Sequence, residues 1–279
     1  MANLQLLRKR LKSINATGEL ASAMKTVATV KYSKISKTTS EFREYSDACA
    51  EILNVVAPEA FVREKEPVKR SCLIVISSNR GFCGGYNSEL FKFADEQIQK
   101  EEFEDGPLLI ACGKKIQSYY EEKGIRAVPY EISDIPTLEE AKAITQFVLD
   151  IYLKGEAEKV CFVYQKFKNM MTQIPTLEQL LPRDEVDKNT LEEILYLPDR
   201  KTFSETLAFD CLSSRVYGIL LGCASGAQAS TVIAMKSACD NAEESSQQLE
   251  MTINRLRQAQ VTNSVIETSS GMAAANMEK

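Results

Sequence analysis

The sequence predicts an α/β protein in which long N- and C-terminal helices pair along a seam and a small α/β domain is inserted between them. Three observations carry this. Residues 1–57 contain no proline and one glycine, Gly18. Residues 204–279 also lack proline. Between them, short apolar runs alternate with helical stretches, the rhythm of βαβ units and a mostly parallel sheet.

The N-terminal segment, 1–58, is predicted as one helix. Steps of three and four from Leu4 pass through Leu7, Leu11, Ile14, Gly18, Ala21, Lys25, Ala28, Tyr32, Ile35, Thr39, Phe42, Ser46, Cys49, Leu53 and Val56. That is an a/d seam held for about eight heptads, large at its ends and small or polar in its centre. Pro58 is expected to stop it, after roughly 80–85 Å of helix at 1.5 Å per residue.

The C-terminal segment, 204–279, mirrors it, with Ser204 placed as N-cap. Its early positions are apolar (Leu207, Phe209, Leu212, Val216, Ile219, Leu220). Its later seam is thin: Met235, Ala238, Ala242, Ser245, Leu249, Thr252, Leu256, Ala259, Asn263, Ile266. Such a seam lets backbones approach closely but gains little from burial, at about 0.8 kcal/mol per methylene. It therefore predicts enclosing partners. The competing reading is a bundle of shorter helices broken at Gly222, Gly226 and Gly271.

The central domain, 66–203, is predicted from a strand at 71–77, a helix over 88–104 and a strand at 107–113. A helix over Lys114–Lys123, an extended stretch at 125–132, a helix over 137–153 and a strand at 159–167 follow. Residues 170–182 and 190–198 read as later, edge strands, since each carries proline. The alternation makes this domain Rossmann-like.

Composition narrows the function. The chain has a net charge of −5, yet residues 1–37 hold eight Lys/Arg against Glu19 alone, a local +7. That asymmetry points to an anionic partner surface near the N-terminal helix. Basic and aromatic residues are not interleaved and there is no tryptophan, so no nucleic-acid platform is expected. No run reaches the ~18–20 apolar residues of a membrane span. No apolar h-region follows the basic start, and the seam continues unbroken past residue 17, so these residues are expected to be mature structure.

Eight cysteines are scattered with no CxxC pair, which predicts buried free thiols and neither a zinc site nor a disulfide framework. There is no histidine, which removes the commonest general base and the usual partner of a serine or cysteine nucleophile. No catalytic, metal or cofactor residues are assigned.

One motif looks chemical: SSNRGFCGGYN at 77–87, with Arg80, Gly81, Gly84 and Gly85 in a strand-to-helix turn. Turns of this kind cradle phosphates. The spacing matches neither GxGxxG nor GxxxxGK[ST], and the second strand ends in Gly113 and Lys114 rather than an acid. Cys83 lacks a histidine base. A structural turn is the expected role. The alternative for the whole chain is a Rossmann-like enzyme with helical oligomerisation arms.

AMKTVATVK (23–31), SSNRGFCGGYN (77–87), AMKSACDNA (234–242) and NRLRQAQVTNSVIE (254–267) occur in that order. Together they resemble the gamma subunits of F-type rotary ATP synthases. The resemblance implies that the terminal helices wind as an antiparallel, left-handed coiled coil inside a hexamer of alpha and beta subunits. It implies that the α/β domain meets the epsilon subunit and the ring of membrane c subunits. One copy per complex would transmit torque between ion flow and ATP synthesis, without catalysis of its own. The setting implied is peripheral, on the cytoplasmic face of a bacterial plasma membrane. Met24 and Lys25 would face the acidic lever loop of the beta subunit. Arg257 and Gln258 would engage its catch loop, with Thr262 and Glu267 in the same surface. Thr231, Asn263 and Ser264 depart from residues common in the family and put individual contacts in question.

Overall fold

The computed structural model describes residues 2–55, 70–100, 106–182 and 200–277. Its elements are α1 (Ala2–Val55), β1 (Ser71–Ile76), α2 (Tyr86–Lys100), β2 (Leu108–Cys112), α3 (Lys114–Lys123), β3 (Val128–Tyr130), α4 (Leu138–Leu153), β4 (Lys159–Asn169), β5 (Thr172–Leu181) and α5 (Arg200–Met277). The stop expected at Pro58 and the strand expected at 190–198 lie outside the described residues.

Both terminal helices are continuous. α5 runs through Gly222, Gly226 and Gly271 without a break. A mid-helix glycine costs only about 1 kcal/mol, which packing outweighs. Ser204 is not the N-cap, because α5 already begins at Arg200. Arg200 and Lys201 are good helix formers, and nothing between them and Ser204 breaks a helix. An 18-residue window of α5 reaches a mean hydropathy of 1.4, and half of it is buried inside the fold.

The chain divides into two compact units, one from the residues before Ala28 with those after Ile233, the other from Ala28 to Ile233. In the larger unit the sheet order is β3-β2-β1-β4-β5. β1 pairs in parallel with β2 and β4, β2 pairs in parallel with β3, and β4 and β5 form an antiparallel hairpin. β1 is buried along its whole length, which explains why SCLIVI reads as an unbroken apolar run rather than an alternating one. Pro175 is tolerated because β5 lies on the edge. Pro129 sits in the other edge strand, β3, which is limited to three residues of the extended stretch expected there.

The two faces of the sheet are covered differently. Val75, Ala111 and Val163 pack on Leu90 and Ala94 of α2 and on Ile116 and Tyr120 of α3. Ile74, Ile76, Cys112, Val160 and Phe162 share one core with α4, with Leu212, Val216 and Leu220 of α5, and with Ile35 and Cys49 of α1. Phe42 meets Tyr217 edge-on with ring centroids 4.8 Å apart. Tyr45, further along α1, lies within electrostatic reach of Asp210 and Cys211, so the helices run antiparallel.

The smaller unit shows what the weak seam does. An added Cβ on Gly18 would lie 3.2 Å from Cβ of Ala242, and Cys239 Sγ donates to the Gly18 carbonyl at 3.7 Å. Every expected seam position of α1 from Leu4 to Cys49 is buried or partly buried. On α5 the seam holds through Leu249 and then takes a four-residue step, so Ile253 is buried where Thr252 was expected. Ala259, Asn263 and Ile266 are exposed.

Candidate functional site

The glycine-rich turn joins β1 to α2 at the carboxyl edge of the sheet, and its side chains reach in three directions. Ser77 ties it to the next strand: its N–H donates to the Cys112 carbonyl at 2.9 Å, and its Oγ accepts from the Ile116 N–H at 3.0 Å. Asn79 reaches further. Its Oδ1 accepts from the Lys114 N–H at 3.2 Å, while its Nδ2 donates to the Ile132 carbonyl at 2.7 Å and to Asp134 Oδ1 at 3.3 Å. The other oxygen of Asp134 accepts from Lys31 Nζ of α1 at 2.5 Å and pairs with Arg80 Nε at 3.1 Å. Partial burial acts to raise the Asp134 pKa, but Lys31, Asn79 and Arg80 together outweigh it and hold the carboxyl below its ordinary value.

The far end of the turn holds α5. Tyr86, the first residue of α2, is 3% exposed and donates its hydroxyl to the Cys223 carbonyl at 3.0 Å. Gln165 of β4 in turn donates to the Tyr86 carbonyl at 3.0 Å. Gly226 makes the approach possible, since an added Cβ would sit 3.1 Å from the Tyr86 ring and 3.2 Å from Gln173.

Within the turn, Asn87 donates to Ser78 Oγ at 2.8 Å and to Cys83 Sγ at 3.2 Å. Of its three glycines only Gly84 has a positive φ, 57°. Gly81 lies under the Lys115 side chain, and Gly85 beside the Glu89 carboxylate. Cys83 is buried, with its sulfur taken up by Asn87 and Ser78.

β1 lies where the strand order reverses, the place at which doubly wound sheets bind ligands in a crevice. Here the crevice is walled by Ser78, Asn79 and Asp134 on one side and by Leu220, Cys223 and Ala224 of α5 on the other, leaving about 40 Å³. A small-molecule pocket occupies roughly 300–1,000 Å³. Helix α5 fills the space a ligand would need.

All eight cysteines are free and seven are buried. Burial pushes Cys72 and Cys223 up to about 12 and raises Cys112 as well, the opposite of an activated thiolate. Among the described residues no group of His, Cys, Asp and Glu could hold a metal ion.

The partner-contact candidates lie in the smaller unit. Met24 and Lys25 are partly buried on α1, and Arg257, Gln258, Thr262 and Glu267 are exposed on α5. Thr262 donates to the Gln258 carbonyl at 3.0 Å. The sequence did not single out Lys31, Asp134 or Tyr86. Asp134 is 55 residues from Asn79 and 103 from Lys31, and no local pattern signals such a pairing.

Comparison with known proteins places this architecture. A family model described as ATP synthase matches residues 3–275. The ATP synthase gamma chain of Pasteurella multocida is 32% identical, with 98% of this chain and all of the relative covered. That of Desulforamulus reducens is 29% identical over 98% of this chain and 99% of its own. A chain of the Euglena gracilis mitochondrial ATP synthase (OSCP/F1/c-ring) shares the fold with a TM-score of 0.72 at 15% identity, covering 98% of this chain and 94% of that one. A chain of the Tetrahymena thermophila mitochondrial ATP synthase central stalk and c-ring gives 0.62 at 19% identity, covering 78% and 99%. With the family model matching residues 3–275 and a relative 32% identical across 98% of this chain, the chain belongs to the ATP synthase gamma chain family.

Proposed function

We propose that this protein is the central-stalk rotor of an F-type ATP synthase, carrying torque between an ion-driven c-ring and the catalytic alpha/beta hexamer. The observation that supports it most is the shared core: Ile35 and Cys49 of α1 and Leu212, Val216 and Leu220 of α5 are buried with the strands of the sheet. Oligomerisation arms on an enzyme need no such integration, whereas a rotor must not let its domain swivel on its helices. The crevice of about 40 Å³ also argues against the enzyme reading.

In this reading the chain catalyses nothing itself. It works as one copy with alpha, beta and epsilon subunits and the c-ring, peripheral to the membrane on the cytoplasmic face of a bacterial cell. Met24 and Lys25 meet the acidic lever of the beta subunit, where the +7 charge of residues 1–37 assists docking. Arg257, Gln258, Thr262 and Glu267 meet its catch loop.

The test is isolation of the native complex with its subunit stoichiometry. One copy of this chain beside three alpha and three beta subunits is the expected result. A pull-down without alpha, beta or epsilon subunits refutes the rotor. Met24→Lys in the complex should lower ions pumped per ATP hydrolysed, and an unchanged ratio refutes the assignment of Met24.

A further inference from the structure

The geometry points to the turn after β1 as a two-armed joint that keys the α/β domain to both terminal helices, with Lys31–Asp134 and Tyr86–Cys223 as its positioning contacts. This rests on the rotor reading and names two contacts, within the Ala28–Ile233 unit, that add to its torsional stiffness.

The apolar core is one part of the key. The hydrophobic effect itself is non-directional, so resistance to sliding comes from interdigitated packing and from directional contacts. Torque loads the boundary between sheet and helix in that sliding sense. Hydrogen bonds weaken steeply with angle and distance, and charge-assisted ones are stronger than neutral ones, so they resist it. The turn after β1 places such a contact on each helix, beside those that Arg215–Glu178, Lys142–Asp210 and Ser230–Gln173 make between α5 and β5 or α4. Lys31 of α1 is held by Asp134, whose side chain is itself fixed by Asn79 and Arg80 of the turn. The Cys223 carbonyl of α5 is held by Tyr86 at the end of the same turn.

The ion pair is also placed to matter. The side chains of Lys31 and Asp134 are only 21% and 22% exposed, so solvent screens them less than a surface pair. Tyr86 is backed by Gln165 of β4, which anchors the second arm in the sheet rather than in the loop. Both arms thus lead from a helix, through residues 77–87, into an inner strand of the sheet, β1 or β4.

The experiment uses the assembled complex, immobilised through its hexamer and stalled at a catalytic dwell. A probe is attached to Glu122→Cys, an exposed position on α3, with the half-exposed Cys239 replaced by serine in every variant, and the variance of its angle is recorded. Lys31→Met keeps the aliphatic stem without the charge, Asp134→Asn keeps the shape, and Tyr86→Phe removes only the hydroxyl. Each should raise the angular variance roughly 1.5-fold or more while no-load ATP hydrolysis is retained. Lys31→Arg keeps the charge and should stay near the parent value, a rescue that general loosening of the fold would not produce.

Parent-like variance in all three loss variants overturns the joint, and so does a Lys31→Arg variant as soft as Lys31→Met. Failure of the parent chain to assemble or rotate overturns the rotor reading first, and is seen before any variant is compared.

Discussion

Gly113→Ala tests whether the edge between β1 and β2 is as tightly built as its geometry demands. Gly113 precedes α3 with φ 95° and ψ 149°, a region essentially reserved for glycine, where another residue costs on the order of 1–3 kcal/mol. An added Cβ would lie 2.5 Å from the Ser77 carbonyl oxygen and 3.0 Å from Ser77 Oγ. Neither can withdraw easily. The Ser77 N–H is bonded to Cys112, and its Oγ receives the Ile116 N–H. Relieving the overlap adds roughly 1–3 kcal/mol of overpacking, and the stiffer unfolded chain returns about 0.4–1 kcal/mol. The net loss is about 3 kcal/mol, or on the order of a hundredfold in an opening equilibrium at 1.4 kcal/mol per decade. Native-state hydrogen exchange of β1 and β2 peptides measures it, because it reads local opening without requiring the whole chain to unfold in two states. Gly124→Ala is the control: φ is 67° but nothing lies within 4 Å, so its cost is the left-handed backbone alone, about 1–2 kcal/mol. Equal protection in the two variants would refute the claim that the Ser77 contact makes Gly113 obligatory.

Other perturbations give outcomes as definite. Thr137→Ala removes a capping box, in which Thr137 accepts from the Glu140 N–H and Glu140 from the Thr137 N–H. It should cost about 1 kcal/mol in thermal or urea unfolding. Gly18→Ala should be nearly neutral, since a helix-propensity gain of about 1 kcal/mol offsets an approach of 3.2 Å to Ala242. Gly18→Leu should force that pair of helices apart and lower helicity by circular dichroism; equal helicity in the two variants would show that the seam is not close-packed there. A thiol reagent at neutral pH should label at most the half-exposed Cys239 quickly, and all eight thiols only after denaturation. For Cys72 and Cys223 the folded pKa is raised from 9.0 to about 12. Above pH 9 the unfolded chain therefore loses these protons first. The stabilisation is complete below pH 9 and falls as pH rises towards 12. Melting temperatures that stay flat between pH 9 and 11 would contradict this.

How far the sequence was legible depends on whether the signal was periodic. The α1 seam could be read residue by residue because a fixed alternation of three- and four-residue steps marks one stripe of the helix, and each position from Leu4 to Cys49 is buried or partly buried. On α5 the same logic held until Thr252, where a four-residue step was available and Ile253 offered more apolar area than threonine. Helix starts were less legible. Ser204 has the chemistry of an N-cap, but so many residues tolerate the first turn that a cap signal alone cannot stop a helix beginning at Arg200. The clasp on α1 could not be read at all. Lys31 resembles its neighbours Lys25 and Lys34, and only the tertiary fold carries Asp134 to it across 103 residues.

The glycine-rich turn shows why a motif must be judged by what surrounds it. Phosphate binding at such a turn needs an open crevice and a helix N-terminus whose positive end faces an incoming anion. Neither is available here. Glu89 stands in the first turn of α2 and already supplies negative charge where the helix dipole favours it. Leu220, Cys223 and Ala224 of α5 line the crevice. The properties that suit a turn to phosphate also suit it to another use: a backbone tight enough for close approach, and polar side chains projecting from the carboxyl edge of a parallel sheet. Asn79 and Arg80 direct that capacity onto Asp134 and so onto Lys31, and Tyr86 directs it onto a helix carbonyl. What is gripped is the chain's own pair of helices. A substitution in residues 77–87 should therefore show first in the mechanics of the rotor, because these side chains hold α1 and α5.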